Sequence, residues 1–110
     1  MMHAITLTER KAKASLDRQA AADRISALLE RYAKAHGGRY LMFGSAARHE
    51  MKHDSDLDLI VDFPVDTMTE AVDYAEDLCD REGLPADIIP IRFCSPAFLN
   101  RVSTGAKVLA

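Results

Sequence analysis

The chain lacks what several classes of protein require. It has two cysteines, Cys79 and Cys94, in 110 residues. Two are too few for a disulfide framework, and they do not show metal-ligand spacing. No apolar run approaches the ~20 residues needed to cross a bilayer. The opening stretch Met1-Met2-His3-Ala4-Ile5-Thr6 shows no h-region of a secretory signal. Positive charge is not in excess: 14 Lys and Arg stand against 17 Asp and Glu, a formal net charge of -3. That balance disfavours a basic nucleic-acid binder. Internal repeats and low-complexity segments are also absent. The expectation is one soluble, cytoplasmic domain over residues 1–110, with no membrane contact and no direct nucleic-acid binding.

What is present suits a modest globular core, with 48% hydrophobic and 28% charged residues. Between Thr6 and His36 there is neither Gly nor Pro. Thr6 followed by Glu9 reads as a capping box, and Ala21, Ile25, Leu28, Leu29 and Tyr32 recur at helical spacing. Gly37-Gly38 supplies the stop. Residues 1–38 are therefore expected to be a helical segment, and 39–110 the core that carries the chemistry.

Arg39 to Phe43 reads as a strand entering a turn at Gly44-Ser45, with a short helix starting near Ala46. Leu57, Leu59 and Val61 alternate with Asp56, Asp58 and Asp62, the period of a strand with two unlike faces. Thr67 with Glu70 suggests a second capping box, opening a helix with Met68, Ala71, Val72, Ala75, Leu78 and Cys79 on its apolar stripe. Asp87 to Ile91 is a third strand, and Pro90 marks an edge or an end. Ser95 and Pro96 open a last short helix. The tail after Gly105 either adds a strand or docks on the core. This order gives an α/β (α+β) fold, a small mixed sheet with helices packed on one face.

Chemistry concentrates in Phe43-Gly44-Ser45-Ala46-Ala47-Arg48 and in Asp54-Ser55-Asp56-Leu57-Asp58. A strand that ends in Gly-Ser and enters a helix aims backbone N–H groups and a hydroxyl into one space, which suits a phosphate. Gly44 permits close approach because it has no Cβ. Arg48, about one turn on, is placed to add charge-assisted contacts. Asp56 and Asp58, two apart on a strand, project from one face roughly 7 Å apart. Paired hard carboxylates repel unless cations lie between them, and Mg²⁺ favours a few carboxylates plus substrate phosphates. Asp87 on a neighbouring strand is placed to be the third carboxylate of a two-metal site. Taken singly, each feature has a plainer reading: a turn, a solvated strand face, a surface aspartate. Their co-occurrence in this order favours the site.

Together, Gly44-Ser45, Arg48 and Ser55-Asp56-Leu57-Asp58 resemble the signature of the DNA polymerase β-like nucleotidyltransferases. The likeness is greatest to the minimal nucleotidyltransferase (MNT) domains, and it runs from Arg39 to the C-terminus. The resemblance implies that Gly44, Ser45 and Arg48 bind the nucleotide triphosphate. It implies that Asp56, Asp58 and Asp87 bind two Mg²⁺ ions, with Asp87 also helping to activate the attacking hydroxyl. One departure is immediate: His49 stands where the Gly-Ser-x-Ala-Arg-Gly form has its last glycine.

MNT proteins of this kind are commonly antitoxins paired with a HEPN-domain ribonuclease toxin. By resemblance, the expected activity is transfer of AMP from ATP to a tyrosine hydroxyl of that toxin, neutralising it. Two alternatives stay open: a non-catalytic antitoxin that acts by binding, and the catalytic subunit of a small-molecule (antibiotic) nucleotidyltransferase. His49 and His53 read as solvated loop residues, Cys79 as core, and Asp54 and Asp62 as outlying carboxylates. Arg10, Lys11, Lys13 and Arg18 read as a solvated helix face, with contact to an acidic partner as the second reading.

Overall fold

The computed structural model describes residues 6–110. Its elements are α1 (Leu7–His36), β1 (Arg39–Phe43), α2 (Gly44–Ala47), β2 (Leu57–Asp62), α3 (Val65–Glu82), β3 (Ala86–Pro90), α4 (Pro96–Ser103) and β4 (Lys107–Leu109). A single 3-10 turn, Ile91–Phe93, joins β3 to α4. The expectation that the opening stretch carries no signal h-region falls on Met1 to Ile5, which lie outside the described residues. Among the described residues, no helix is long and apolar enough to cross a membrane.

The four strands lie in the order β3-β2-β1-β4. β1 runs antiparallel to β2 and β4, while β2 and β3 are parallel, with α3 as the crossover that a parallel pair requires. The tail thus forms a strand. Alternation sorts the side chains cleanly. Tyr40, Met42, Leu57, Leu59, Val61 and Leu109 face α1 and α3 and form the core with them. Leu41, Phe43, Asp58, Ile60, Asp62 and Asp87 fall on the opposite face by the same alternation.

α1 opens with the expected capping box and closes on Gly37 in the left-handed conformation. Its buried residues are Ala21, Ala22, Ile25, Ser26, Leu29 and Ala33. Leu28 is not among them: it is 39% exposed, because it lies about 100° around the helix from Leu29, on the flank of the stripe. The N-terminal third of α1 buries none of its residues, and Leu7 and Leu16 are exposed.

α3 starts at Val65 rather than after Thr67, so the second capping box does not form. Pro64, extended at φ -54° and ψ 151°, delivers the chain straight into the helix. Thr67 then sits inside the first turn, where its hydroxyl donates to the Pro64 carbonyl at 3.2 Å. The stripe itself is as expected, with Met68, Ala71, Ala75, Leu78 and Cys79 buried. Burial pushes the Cys79 thiol up to about 11.

One end of the sheet is closed by aromatic packing. Tyr32 of α1 stacks on Tyr74 of α3 at 4.2 Å, and Phe63 lies 5.1 Å from Tyr40. Tyr40 is fully buried and donates its hydroxyl to the Ala71 carbonyl at 2.8 Å; burial raises its phenol well above the usual range. Gly38 lies against the Phe63 ring so closely that a Cβ there would sit 2.4 Å from it.

Candidate functional site

The other end of the same sheet is built differently. β1 stops at Phe43, and Gly44 turns the chain into α2 with φ +73°. That left-handed bend strains any residue with a Cβ. Space requires glycine as well: a Cβ on Gly44 would lie 2.5 Å from Oδ2 of Asp58. Ser45 follows in the first turn of α2, half-buried, where helical N–H groups have no intrahelical acceptor.

Asp58 is the centre of the arrangement. It pairs with Phe43 across the antiparallel ladder and with Asp87 across the parallel one. Asp56 lies two residues earlier, just outside β2, and shares Asp58's side of the strand by alternation. Burial, then the charges of Asp87 and Asp56, hold the Asp58 carboxyl above its ordinary range. Among the described residues, no Lys or Arg forms an ion pair with Asp56, Asp58 or Asp87.

Asp62 shows the contrast. It is on the same strand and face as Asp58, yet Arg39 Nε donates to its Oδ2 at 2.7 Å. The outlying reading of Asp62 therefore resolves to an ion pair. Arg48 lies beside the turn, exposed, with its Nε 3.1 Å from Oε2 of Glu50. It lines a cavity of about 210 Å³ together with Phe43, Gly44, Arg101, Val102 and Gly105.

His49 takes the left-handed conformation itself, at φ 54°, and its Nε2 lies 3.4 Å from Oδ1 of Asp23 on α1. A histidine thus occupies a glycine-like bend, and the turn persists. His53 is exposed.

Three residues of α1 that sequence reasoning did not place at the site organise its loops. Arg18 Nη1 donates to the Ser55 carbonyl at 2.6 Å, immediately before Asp56. That corrects the reading of Arg18 as part of a solvated face. Gln19 ties α2 to the loop that follows it, donating to the Ala46 carbonyl at 3.2 Å and accepting from the Met51 N–H at 3.4 Å. Asp23 holds His49. Their 18-19-23 spacing puts them on neighbouring faces of one helix, but nothing in a helical pattern says which distant loop such a face will meet.

The donor set suits a hard divalent cation: two carboxylates in register and a third two residues away. Among the described residues, no three His, Cys, Asp or Glu side chains are already gathered as a metal-holding group. The arrangement therefore fits an ion that takes its remaining oxygens from a substrate, and not an all-protein cage. Chemically, an unneutralised carboxylate row beside a glycine turn can hold cation-bound phosphate and accept a proton from a nucleophile.

The family model described as "Nucleotidyltransferase domain" matches residues 23–104, so the chain belongs to that family. Neither a curated protein nor a solved structure matches the chain.

Proposed function

Starting from membership of the nucleotidyltransferase domain family, we propose that this protein is an antitoxin that transfers AMP from ATP to a tyrosine hydroxyl of a partner HEPN ribonuclease toxin. The observation that carries the transfer reading is the uncompensated Asp58–Asp87 pair set against the Gly44 bend. The adenine base, the tyrosine acceptor and the toxin partner are supported by the resemblance of Gly44-Ser45, Arg48 and Asp56-Leu57-Asp58 to MNT domains.

In this reading Asp56, Asp58 and Asp87 hold two Mg²⁺ ions. When bound, such ions neutralise charge on the attacking and leaving oxygens of an in-line displacement. The chain's own groups do the rest. Gly44 and Ser45 seat the triphosphate on backbone N–H groups, and Arg48 adds positive charge beside it. Asp87, exposed on the edge strand β3, takes the proton of the acceptor hydroxyl. The acceptor oxygen bonds to the α-phosphorus, the bond to the bridging oxygen breaks, and pyrophosphate leaves.

A second reading, an antitoxin that only binds, is supported by His49 standing where the Gly-Ser-x-Ala-Arg-Gly form has its last glycine. The intact mass of the co-purified partner separates the two after incubation with ATP and Mg²⁺. Wild type should add one or more AMP units, and the Asp56→Asn/Asp58→Asn double variant none. A tight complex with no mass change, and equal neutralisation by the double variant, would replace transfer with binding. Turnover of hydroxylated small molecules without any protein acceptor would point to the antibiotic-modifying alternative.

A further inference from the structure

We propose that Arg101, in the last turn of α4, binds the leaving pyrophosphate end of the nucleotide. This rests on the nucleotidyl-transfer reading and extends it to a residue outside the motif. The cavity beside the Gly44 bend is also lined by Arg101, Val102 and Gly105. Its volume of about 210 Å³ has room for several waters, and so for a diphosphate. Two arginines, Arg48 and Arg101, line this one space.

They are not equivalent. Arg48 is engaged by Glu50, whereas Arg101 has no carboxylate partner among the described residues. Arg101 is nevertheless held in place. Its guanidinium lies over the Phe98 ring at 5.6 Å, and Phe98 meets Phe43 edge-on at 5.7 Å. Phe43 is the residue before Gly44, so a chain of aromatic contacts ties the free cation to the turn.

The polarity across this end of the sheet follows the strand order. Asp87 on β3 and Asp58 on β2 are negative, Gly44 at the end of β1 is neutral, and Arg101 just before β4 is positive. A triphosphate laid along that line puts its α-phosphate by the carboxylates and their cations. Its β- and γ-phosphates then fall in the arginine-lined cavity. A planar guanidinium meets two phosphate oxygens at once, which a single-point cation cannot do.

Calorimetric titrations of ATP, inorganic pyrophosphate and AMP, each with Mg²⁺, test this on wild type, Arg101→Gln, Arg101→Lys and Arg92→Gln. Arg92 is the control: it also stacks on a phenylalanine, Phe93 at 4.8 Å, but follows β3 at the other end of the sheet. Arg101→Gln should weaken ATP and pyrophosphate about tenfold or more and leave AMP unchanged, the scale of a lost charge-assisted pair. Arg101→Lys should lose less, and Arg92→Gln nothing.

Unchanged ATP and pyrophosphate affinity in Arg101→Gln, with wild type binding ATP, overturns this inference alone. Equal weakening of AMP and pyrophosphate also overturns it, because that marks general damage to the site. A wild type that binds no nucleotide brings down the transfer reading along with it.

Discussion

The two ends of the β1–β2 ladder are built from the same parts and finished in opposite ways. Each end sets a glycine against a β2-side residue, Gly38 against Phe63 and Gly44 against Asp58. Each also carries an aspartate of β2 on the same face, Asp62 and Asp58. At the first end Asp62 opposes Arg39 and is neutralised, and Phe63 joins an aromatic cluster. At the second, Asp58 opposes Phe43 and Asp87, and its charge has no cationic partner among the described residues. One end satisfies its polar groups within the chain. The other leaves its demand for positive charge to be met from outside. Where a fold breaks its own rules of satisfaction at one place and keeps them at the matching place, the exception points to function.

The sharpest way to break this contrast is to treat the two aspartates alike. Asp58→Asn should lower the rate of nucleotidyl transfer at least about a hundredfold, the scale of losing one preorganised electrostatic group. Asp62→Asn should keep that rate within about twofold, and lose no more than about 1 kcal/mol of stability, because Arg39–Asp62 is a partly exposed ion pair. Single-turnover rates and thermal melts of both variants decide the matter. An Asp62→Asn rate as low as that of Asp58→Asn would erase the distinction between the ends.

The glycines sharpen it further. In Gly38→Ala the new Cβ must displace a packed ring, a loss of about 1–3 kcal/mol with transfer per folded molecule unchanged. In Gly44→Ala the Cβ meets Oδ2 of Asp58, and the φ of +73° adds about 1–2 kcal/mol of backbone strain. Displacement of the reacting carboxylate should therefore cut transfer by about tenfold to a hundredfold. Denaturant melts alongside rates separate a stability defect from a site defect. A catalytic loss in Gly38→Ala matching that of Gly44→Ala would mean that the two ends are coupled.

A smaller difference appears in metal-free protein as a function of pH. The Asp58 carboxyl titrates above its ordinary value in the folded state, chiefly through burial and then through Asp87 and Asp56. The folded state therefore holds this proton more tightly than the unfolded chain. As pH rises from the unfolded value of 3.8 through the higher folded one, this site's contribution to stability is lost; it returns as pH falls. Urea melts in a chelator across that window should show the trend in wild type and a flatter profile in Asp58→Asn. An unchanged profile in Asp58→Asn would assign the slope to other groups.

Much of this was legible in the chain itself, for reasons that differ by element. The α1 capping box, the β2 alternation and the Gly37 stop are local patterns, and local patterns survive folding. So did the grouping of Asp58 with Asp87, because a parallel crossover through α3 brings the starts of β2 and β3 into register. Thr67 misled because a proline one step before a helix can start it without a side-chain cap. Leu28 misled because it lies on the flank of the stripe, about 100° around the helix from Leu29, and spacing alone does not set how wide the buried stripe is. The roles of Arg18, Gln19 and Asp23, and the entry of Arg101 into the Gly44 cavity, depend on contacts between distant segments. No spacing along a single helix encodes those.

His49 gives the finest probe of the open end. The related motif form has glycine here, and this chain keeps the glycine-like bend, φ 54°, with a histidine. A non-glycine residue in that conformation carries about 1–2 kcal/mol of strain. Restoring glycine removes it but adds unfolded-chain entropy of about 0.5–1 kcal/mol. It also deletes the exposed His49–Asp23 contact, which is an ion pair only when the histidine is protonated. The balance leaves His49→Gly more stable by about 0.5 kcal/mol, a rise in melting temperature of about 3 °C. Because His49 reaches toward Asp23 on α1 and not toward the carboxylates, transfer should stay within about twofold. A lower melting temperature would show that the α1 contact outweighs the strain. A higher one with slower transfer would show that the bend's strain is part of how the open end holds its ligands.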